Sequence, residues 1–198
     1  MMNKVKEFEQ KIANYYGAPY AVAVDCCTHA IELCLRVVEP QDLLTCPTRT
    51  YLSVPMTLKK LNLNWRWEEK EWENYYYIGG TNIIDAAVYW KQNGYIPGTK
   101  MCLSFQFKKH LNVGRGGMIL LDNEEDYDKL RKMRYDGRED DTPWAEQDID
   151  TIGYHYYMTP EIAQKGIYRF VTAEVTPARE WSFADYPDLS KMKVFQSE

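Results

Sequence analysis

"YAVAVDCCTHAIELCLRVV" spans residues 20–38, and two periodicities meet inside it. Residues 20–24 are a short, continuously apolar, β-branched run, the pattern of a strand covered on both faces. From Ile31 the apolar residues Leu33, Leu35, Val37 and Val38 make a helix rich in apolar positions. Asp25 or Thr28 can cap its start, because either side chain can accept a hydrogen bond from a first-turn N–H. A buried strand feeding directly into a helix is half of a βαβ unit, and it points to a layered α/β domain.

Read outward from there, the pattern repeats. Val5, Phe8, Ile12 and Tyr15/Tyr16 recur every three to four residues, so residues 4–16 read as an amphipathic helix ended by Gly17. "LLTCPT" and "LNWRW" read as strands, with the helical stretch "YLSVPMTLKKLN" between them. "NIIDAAVYW" reads as a strand ending near Asp85, and "KMCLSF" and "GGMILLD" as two more. Residues 123–137 open on an Asn cap and acids and close on basic residues and Gly, as a helix does. A further helix can begin at Thr159-Pro160. The expected fold is therefore a three-layer α/β/α domain with a mostly parallel sheet over 1–170, followed by a loosely packed, Pro-broken tail over 171–198. No internal repeat or low-complexity linker interrupts it.

Composition narrows the function. The net charge is −5, which argues against a general nucleic-acid binder. No apolar stretch approaches the roughly 20 residues of a membrane span, and the first ten residues lack the apolar core of a signal peptide. A cytoplasmic location is the default. The five cysteines and three histidines show neither C-x-x-C pairs nor clustered histidines, so the thiols read as small apolar residues in a reducing compartment and no metal is expected.

In open α/β sheets, ligands gather at the carboxyl ends of strands. The first strand ends in "DCCTHA", where free N–H groups, a Thr hydroxyl and a positive helix end suit an anion, although plain capping explains them too. Asp85 ends a later strand; it can be a cap, a metal ligand or the partner of a cationic ring nitrogen. Ser104 and Lys109 stand five residues apart ahead of glycines 114, 116 and 117, which permit close backbone approach. The glycine cluster lacks the G-K-[ST] ending of a nucleotide P-loop. Taken jointly, these parts match the needs of pyridoxal phosphate (PLP). Its phosphate wants a helix N-terminus and hydroxyls, its ring nitrogen a carboxylate, its aldehyde a lysine and its ring an aromatic cover such as Tyr51.

The same motifs, in order, resemble the sugar aminotransferases of the DegT–DnrJ–StrS group, PLP enzymes of the aspartate-aminotransferase fold. "FEQKIANYYGAPYAVAVDCCTHAIELCLRVV" is similar to that group's opening F-E-x-x-x-A-x-Y-x-G-x-x-Y-A-V-A-V-x-S-G-T-x-A-L. "CPTRTYLSV" resembles its P-S-x-T-F/W-x-A-T, and "IIDAAVYW" its I-E-D-A-A-Q. "CLSFQFKKHLNVGRGG" resembles C-F-S-F-x-x-x-K-N-L-x-x-G-E-G-G, and "IGYHYYMTPEIAQKGI" resembles L-G-Y-N-Y-R-M-T-E-I-Q-A-A. The order is collinear over roughly residues 6–167. The resemblance implies that Lys109, rather than Lys108, is the Schiff-base lysine. It also implies that Asp85 pairs with the ring nitrogen, that Tyr51 stacks on the ring, and that Cys27, Thr28 and Ser104 hold the phosphate. It implies transfer of an amino group from glutamate or glutamine to a nucleotide-linked keto-sugar, by a homodimer.

The chain also departs from the pattern. Val88 stands where the group has the Gln of D-A-A-Q, His155 where it has Asn and Tyr157 where it has Arg. The stretch between Tyr51 and Asp85 is short by a strand–helix pair, and the small C-terminal domain is largely absent. A compact working aminotransferase is one reading. The alternatives are an inactive relative that binds PLP or a nucleotide sugar, and an interaction module using the 16 Tyr and 6 Trp at an interface.

Overall fold

In the computed structural model, which describes residues 2–196, a five-stranded sheet lies between two helical layers. The elements in chain order are α1 (Asn3–Tyr16), β1 (Tyr20–Val24), α2 (Cys27–Val38), β2 (Leu44–Pro47), α3 (Ser53–Lys60) and β3 (Trp65–Glu68). There follow β4 (Tyr76–Tyr77), β5 (Ile83–Asp85), β6 (Lys100–Ser104), β7 (Gly117–Leu121), α4 (Glu124–Met133), α5 (Pro160–Val175) and α6 (Lys193–Gln196).

The alternation of side chains along the strands builds the three layers. Ala21, Ala23, Met101, Leu103, Met118 and Leu120 face one side, where they pack with Phe8 and Ile12 of α1 and Phe170 of α5. Val22, Val24, Cys102, Ile119 and Leu121 face the other, against Ile31 and Leu35 of α2 and Leu130 of α4. Gly166 lets α5 close on α1, since a Cβ there would meet the Phe8 ring at 2.6 Å.

The sheet corrects one expectation: it is mixed, not mostly parallel. Its order is β1-β7-β6-β5-β4, and only the β5–β6 pairing is parallel; β1–β7, β7–β6 and β5–β4 are antiparallel. The reason is the direct β6–β7 connection, which turns the chain back beside the strand it has just left. Because β7 runs reversed between β1 and β6, those two strands and β5 still point the same way. Their carboxyl ends, at Val24, Ser104 and Asp85, therefore share one edge. β2 and β3 form a separate parallel pair, joined to the stretch after β4 by the reciprocal Thr45–Gly79 hydrogen bonds of 3.0 and 3.1 Å.

Helix boundaries follow the local chemistry. Gly17 ends α1 at φ 72, and the Asn123 side chain accepts from Asp126 N at 2.8 Å to start α4. That helix stops at Met133, short of 137, because Asp136 and Gly137 take positive φ. The start of α2 is capped by neither Asp25 nor Thr28. Cys26 is its N-cap, in extended geometry and without a side-chain cap hydrogen bond.

The tail is anchored, contrary to its polar, Pro-broken sequence. α5 runs unbroken through residue 170, and the chain then returns across the strand-end edge. Asn74 N donates to Trp181 O at 2.7 Å, Phe183 N to Trp72 O at 3.0 Å, and Leu189 N to Thr48 O at 2.8 Å. The Arg49 guanidinium reaches Tyr186 O at 2.8 Å, and Leu189 is buried. Ser197 and Glu198 lie outside the described residues.

Candidate active site

Asp85, at the end of β5, is buried. Its Oδ2 accepts from Tyr76 Oη at 2.7 Å and its Oδ1 from Ala87 N at 3.0 Å. Tyr76 in turn contacts the Thr50 hydroxyl, so a short polar chain fixes the carboxylate. Burial pushes the Asp85 carboxyl above its ordinary range, against the opposing pull of the Tyr76 and Ala87 hydrogen bonds and the Lys109 charge.

Lys109 follows from the turn after β6, where its N–H donates to Gln106 O at 2.8 Å. It is half-buried, whereas Lys108 is exposed. Burial lowers the Lys109 amine below an ordinary lysine, and the Lys108 charge adds to this while Asp85 resists it. Each of the two groups is thus driven toward its neutral form by lost hydration.

Both line one cavity of about 120 Å³, together with Thr28, Tyr51, Ser104 and Cys27. The structure therefore brings together every residue proposed from sequence, but in unequal ways. The Thr28 hydroxyl donates to Ser53 Oγ at 2.7 Å, placing two hydroxyls beside the start of α2. Ser104 Oγ accepts from Gln106 N at 3.4 Å. Tyr51 is exposed at 53% at the cavity opening. The Cys27 thiol points away, donating to Cys102 O at 3.5 Å, so only its backbone N–H is offered to the cavity edge. Gly117 is what lets β7 pass under this helix start; a Cβ there would sit 2.4 Å from Cys26 C and 2.6 Å from Cys27 N.

Several parts escape a sequence reading. Tyr76 belongs to a two-residue strand with no periodicity of its own. Trp181 and Arg179 come from the tail yet line a second cavity that shares Lys109, Ser104 and Ala87 with the first. Arg115 lies across the cavity mouth and donates to Asp25 Oδ2 at 2.8 Å. Asp25 Oδ1 meets His29 Nδ1 at 2.6 Å. Burial opposes a charge on His29, but the hydrogen bonds and charges of Asp25 and Cys26 together outweigh it and lift the imidazole to about 9.

The residues present fit PLP. A buried carboxylate without a cationic neighbour in close contact among the described residues, a helix start without a side-chain cap and with two hydroxyls beside it, and a half-buried amine surround one space. Each answers a different polar part of that molecule.

The match to known proteins covers most of these residues, but not Asp85. The sequence profile of the DegT/DnrJ/EryC1/StrS aminotransferase family covers residues 1–64 and 86–186. The unmatched stretch between them holds β3, β4 and β5, with Asp85 its last residue. AtS13 from Actinomadura melliaura superposes with a TM-score of 0.75 at 20% identity, over 86% of this chain and 60% of that one. The sugar aminotransferase CalS13 from Micromonospora echinospora gives 0.71 at 18%, over 87% and 61%. Spr1654 from Streptococcus pneumoniae, in its PLP form, gives 0.71 at 18%, over 86% and 59%. The chain thus spans about 60% of the length of these proteins, and at such identities the likeness speaks for the fold. The profile match, over well more than half of the residues, carries the rest: the chain belongs to the DegT/DnrJ/EryC1/StrS aminotransferase family.

Proposed function

We propose that this protein is a PLP-dependent aminotransferase that moves an amino group from glutamate or glutamine to a nucleotide-linked keto-sugar, acting as a cytoplasmic homodimer. The observation that carries the reading is the gathering of Asp85, Thr28, and the neighbouring Ser104 and Lys109 around one cavity from three separate stretches of chain. The sugar assignment rests on the family and on the likeness to a sugar aminotransferase. The exposed apolar residues Tyr168, Val171 and Val175 of α5 supply a face on which a second copy can pack.

Bound in this cavity, PLP supplies an electron sink that stabilises negative charge on the substrate carbon. The residues have separate tasks. Lys109 would hold the cofactor covalently, and its lowered pKa leaves more of the amine neutral and able to attack. Once released, the same amine can take a proton from the substrate carbon and return it elsewhere. Asp85 would keep the ring nitrogen protonated, and Tyr76 and Ala87 N hold that carboxylate in place. Thr28 and Ser104, with the free N–H groups of Cys27 and Thr28, would bind the phosphate. Tyr51 would cover the ring and exclude water.

The test is an absorption spectrum of the purified protein with added PLP, alongside Lys109→Ala. A visible band present in the first and missing in the second supports the reading; an amino-donor screen followed by loss of that band then identifies the donor. Absence of the band in a correctly folded wild-type protein would overturn the enzyme reading. The tail residues over Lys109 favour one second reading, a family member that binds a ligand without turnover. For that reading the band forms but no donor removes it.

A further inference from the structure

Asp25, Cys26 and His29 offer one carboxylate oxygen, one thiol sulfur and one imidazole nitrogen, all within 4.8 Å of one another and all half-buried. Asp25 and Cys26 lie at the turn between β1 and α2 and His29 in the first turn of α2, and Cys26 also lines the cavity. We propose that these three side chains form a binding site for a soft divalent cation, Zn²⁺ above others, at the lip of that cavity.

The geometry is near what the ion needs. Tetrahedral zinc takes sulfur at about 2.3 Å and nitrogen or carboxylate oxygen at about 2.0–2.2 Å, so its ligand atoms stand roughly 3–4 Å from one another. Asp25 Oδ1 and His29 Nδ1 are 2.6 Å apart and share a hydrogen bond. Opening that contact by a fraction of an ångström lets a metal ion take the place of the shared proton. Cys26 is the helix N-cap in an extended conformation, and its sulfur is not used as a cap.

The surroundings hold the ligands in register. Arg115 Nη2 binds the other Asp25 oxygen at 2.8 Å, which leaves Oδ1 turned toward the histidine. The Tyr156 ring stacks on His29 with centroids 3.6 Å apart and planes 10° apart, fixing the imidazole. Asp25 N donates to Tyr156 O at 2.8 Å, so the same residue anchors the backbone. Such outer contacts are how metal sites orient their ligands.

Charge and ligand type choose the ion. The positive end of α2 and Arg115 both oppose a cation, and an all-oxygen site here would lose to them. A thiolate and a carboxylate bring two negative charges, and sulfur with imidazole selects zinc over magnesium or calcium. Three protein ligands leave a fourth position on the cavity side, open to water or an anion.

The experiment uses the full chain, reduced, stripped of metal and free of PLP, so its result is independent of the aminotransferase reading. Co²⁺ is titrated and the thiolate-to-cobalt charge-transfer band recorded, then Zn²⁺ is added. One equivalent of Co²⁺ should bind per chain with that band, and Zn²⁺ should displace it. Cys26→Ser should abolish the band, and His29→Gln should weaken binding at least about 10-fold. The exposed His155→Ala should bind as the parent does. Absence of the band in the parent, or a band that survives Cys26→Ser in a protein with unchanged circular dichroism, would overturn the proposal.

Discussion

Lys109 Nζ lies over the indole of Trp181, 5.7 Å from the ring centre, and the Arg179 guanidinium covers the same ring at 4.0 Å. Seventy-two positions separate lysine and tryptophan in the chain, and the returning tail closes the distance. A cation over an indole face is favoured in its charged form. The same indole also removes water from the amine, and burial is the larger influence on Lys109. Trp181→Ala should therefore raise the Lys109 pKa toward the ordinary ~10.4. At neutral pH less of the amine is then neutral, and the PLP band should form several-fold more slowly, with its pH profile displaced upward. An unchanged or downward-displaced profile would show that the tail does not shield the lysine.

Asp85 should cost the PLP-free protein stability. Burial raises its folded pKa above the unfolded value, so the folded state keeps its proton to higher pH than the unfolded chain does. Stability then falls as pH climbs from the ordinary carboxylate pKa of about 3.9 to the raised folded value, and the penalty is complete above it. Asp85→Asn removes that titration while its amide oxygen can still accept one of the two hydrogen bonds. The variant should melt higher than the parent at neutral pH, and the gain should vanish toward acid pH. Its catalytic turnover should drop by at least about 100-fold if the carboxylate serves the ring nitrogen. Melting curves at two pH values decide the first part: a lower melting temperature at neutral pH refutes it.

How much of this was legible in the sequence depends on the range of the interaction. The β1–α2 junction is local, and "YAVAVDCCTHA" announces both elements and the edge on which they meet. Lys109 and Asp85 are legible because each sits within a few residues of a strand end. The reversed β7 is not, since "GGMILLD" has the same composition whichever way it runs; only the short return from β6 sets its direction. Tyr76 is hidden in "NYYYIGG", where nothing marks the middle tyrosine as the one that meets Asp85. The tail is hidden for another reason. Its anchors are backbone hydrogen bonds to residues 48, 72 and 74, and backbone pairing over such spans leaves no mark on side-chain pattern.

Gly117 tests the close pass of β7 beneath α2. An added methyl would meet backbone atoms of Cys26 and Cys27 at 2.4–2.7 Å, and backbone cannot rotate aside as a side chain can. Gly117→Ala should cost about 1–3 kcal/mol, the usual penalty of overpacking a filled interior. For a chain of this size each kcal/mol is worth about 2–4 °C in Tm. The displaced helix start should also weaken PLP binding more than the melting shift alone accounts for. An alanine variant with parental melting and parental affinity would mean that the two elements are looser than their spacing implies.

Arg134 supplies the strongest stability prediction. It is fully buried just after α4, and Nη1 binds both Glu9 of α1 and Ala23 O of β1, the latter at 2.8 Å, while Nη2 reaches Asp140 at 3.1 Å. Glu9 also accepts from Ala23 N at 2.7 Å, and burial holds its carboxyl above the usual range despite the arginine. One guanidinium therefore joins a helix, a strand and a loop through two buried carboxylates. Removing it leaves Glu9 without a cationic partner in a dry interior, and Asp140 with Arg131 alone. Arg134→Met should cost about 3–5 kcal/mol, the price of breaking a buried ion pair from one side. Adding Glu9→Gln should recover part of that loss, because the amide carries no charge to bury. Urea unfolding of the parent, the single variants and the double variant measures the coupling directly. A loss below about 1 kcal/mol in Arg134→Met, or no recovery in the double variant, would show that the helix, strand and loop hold together without this arginine.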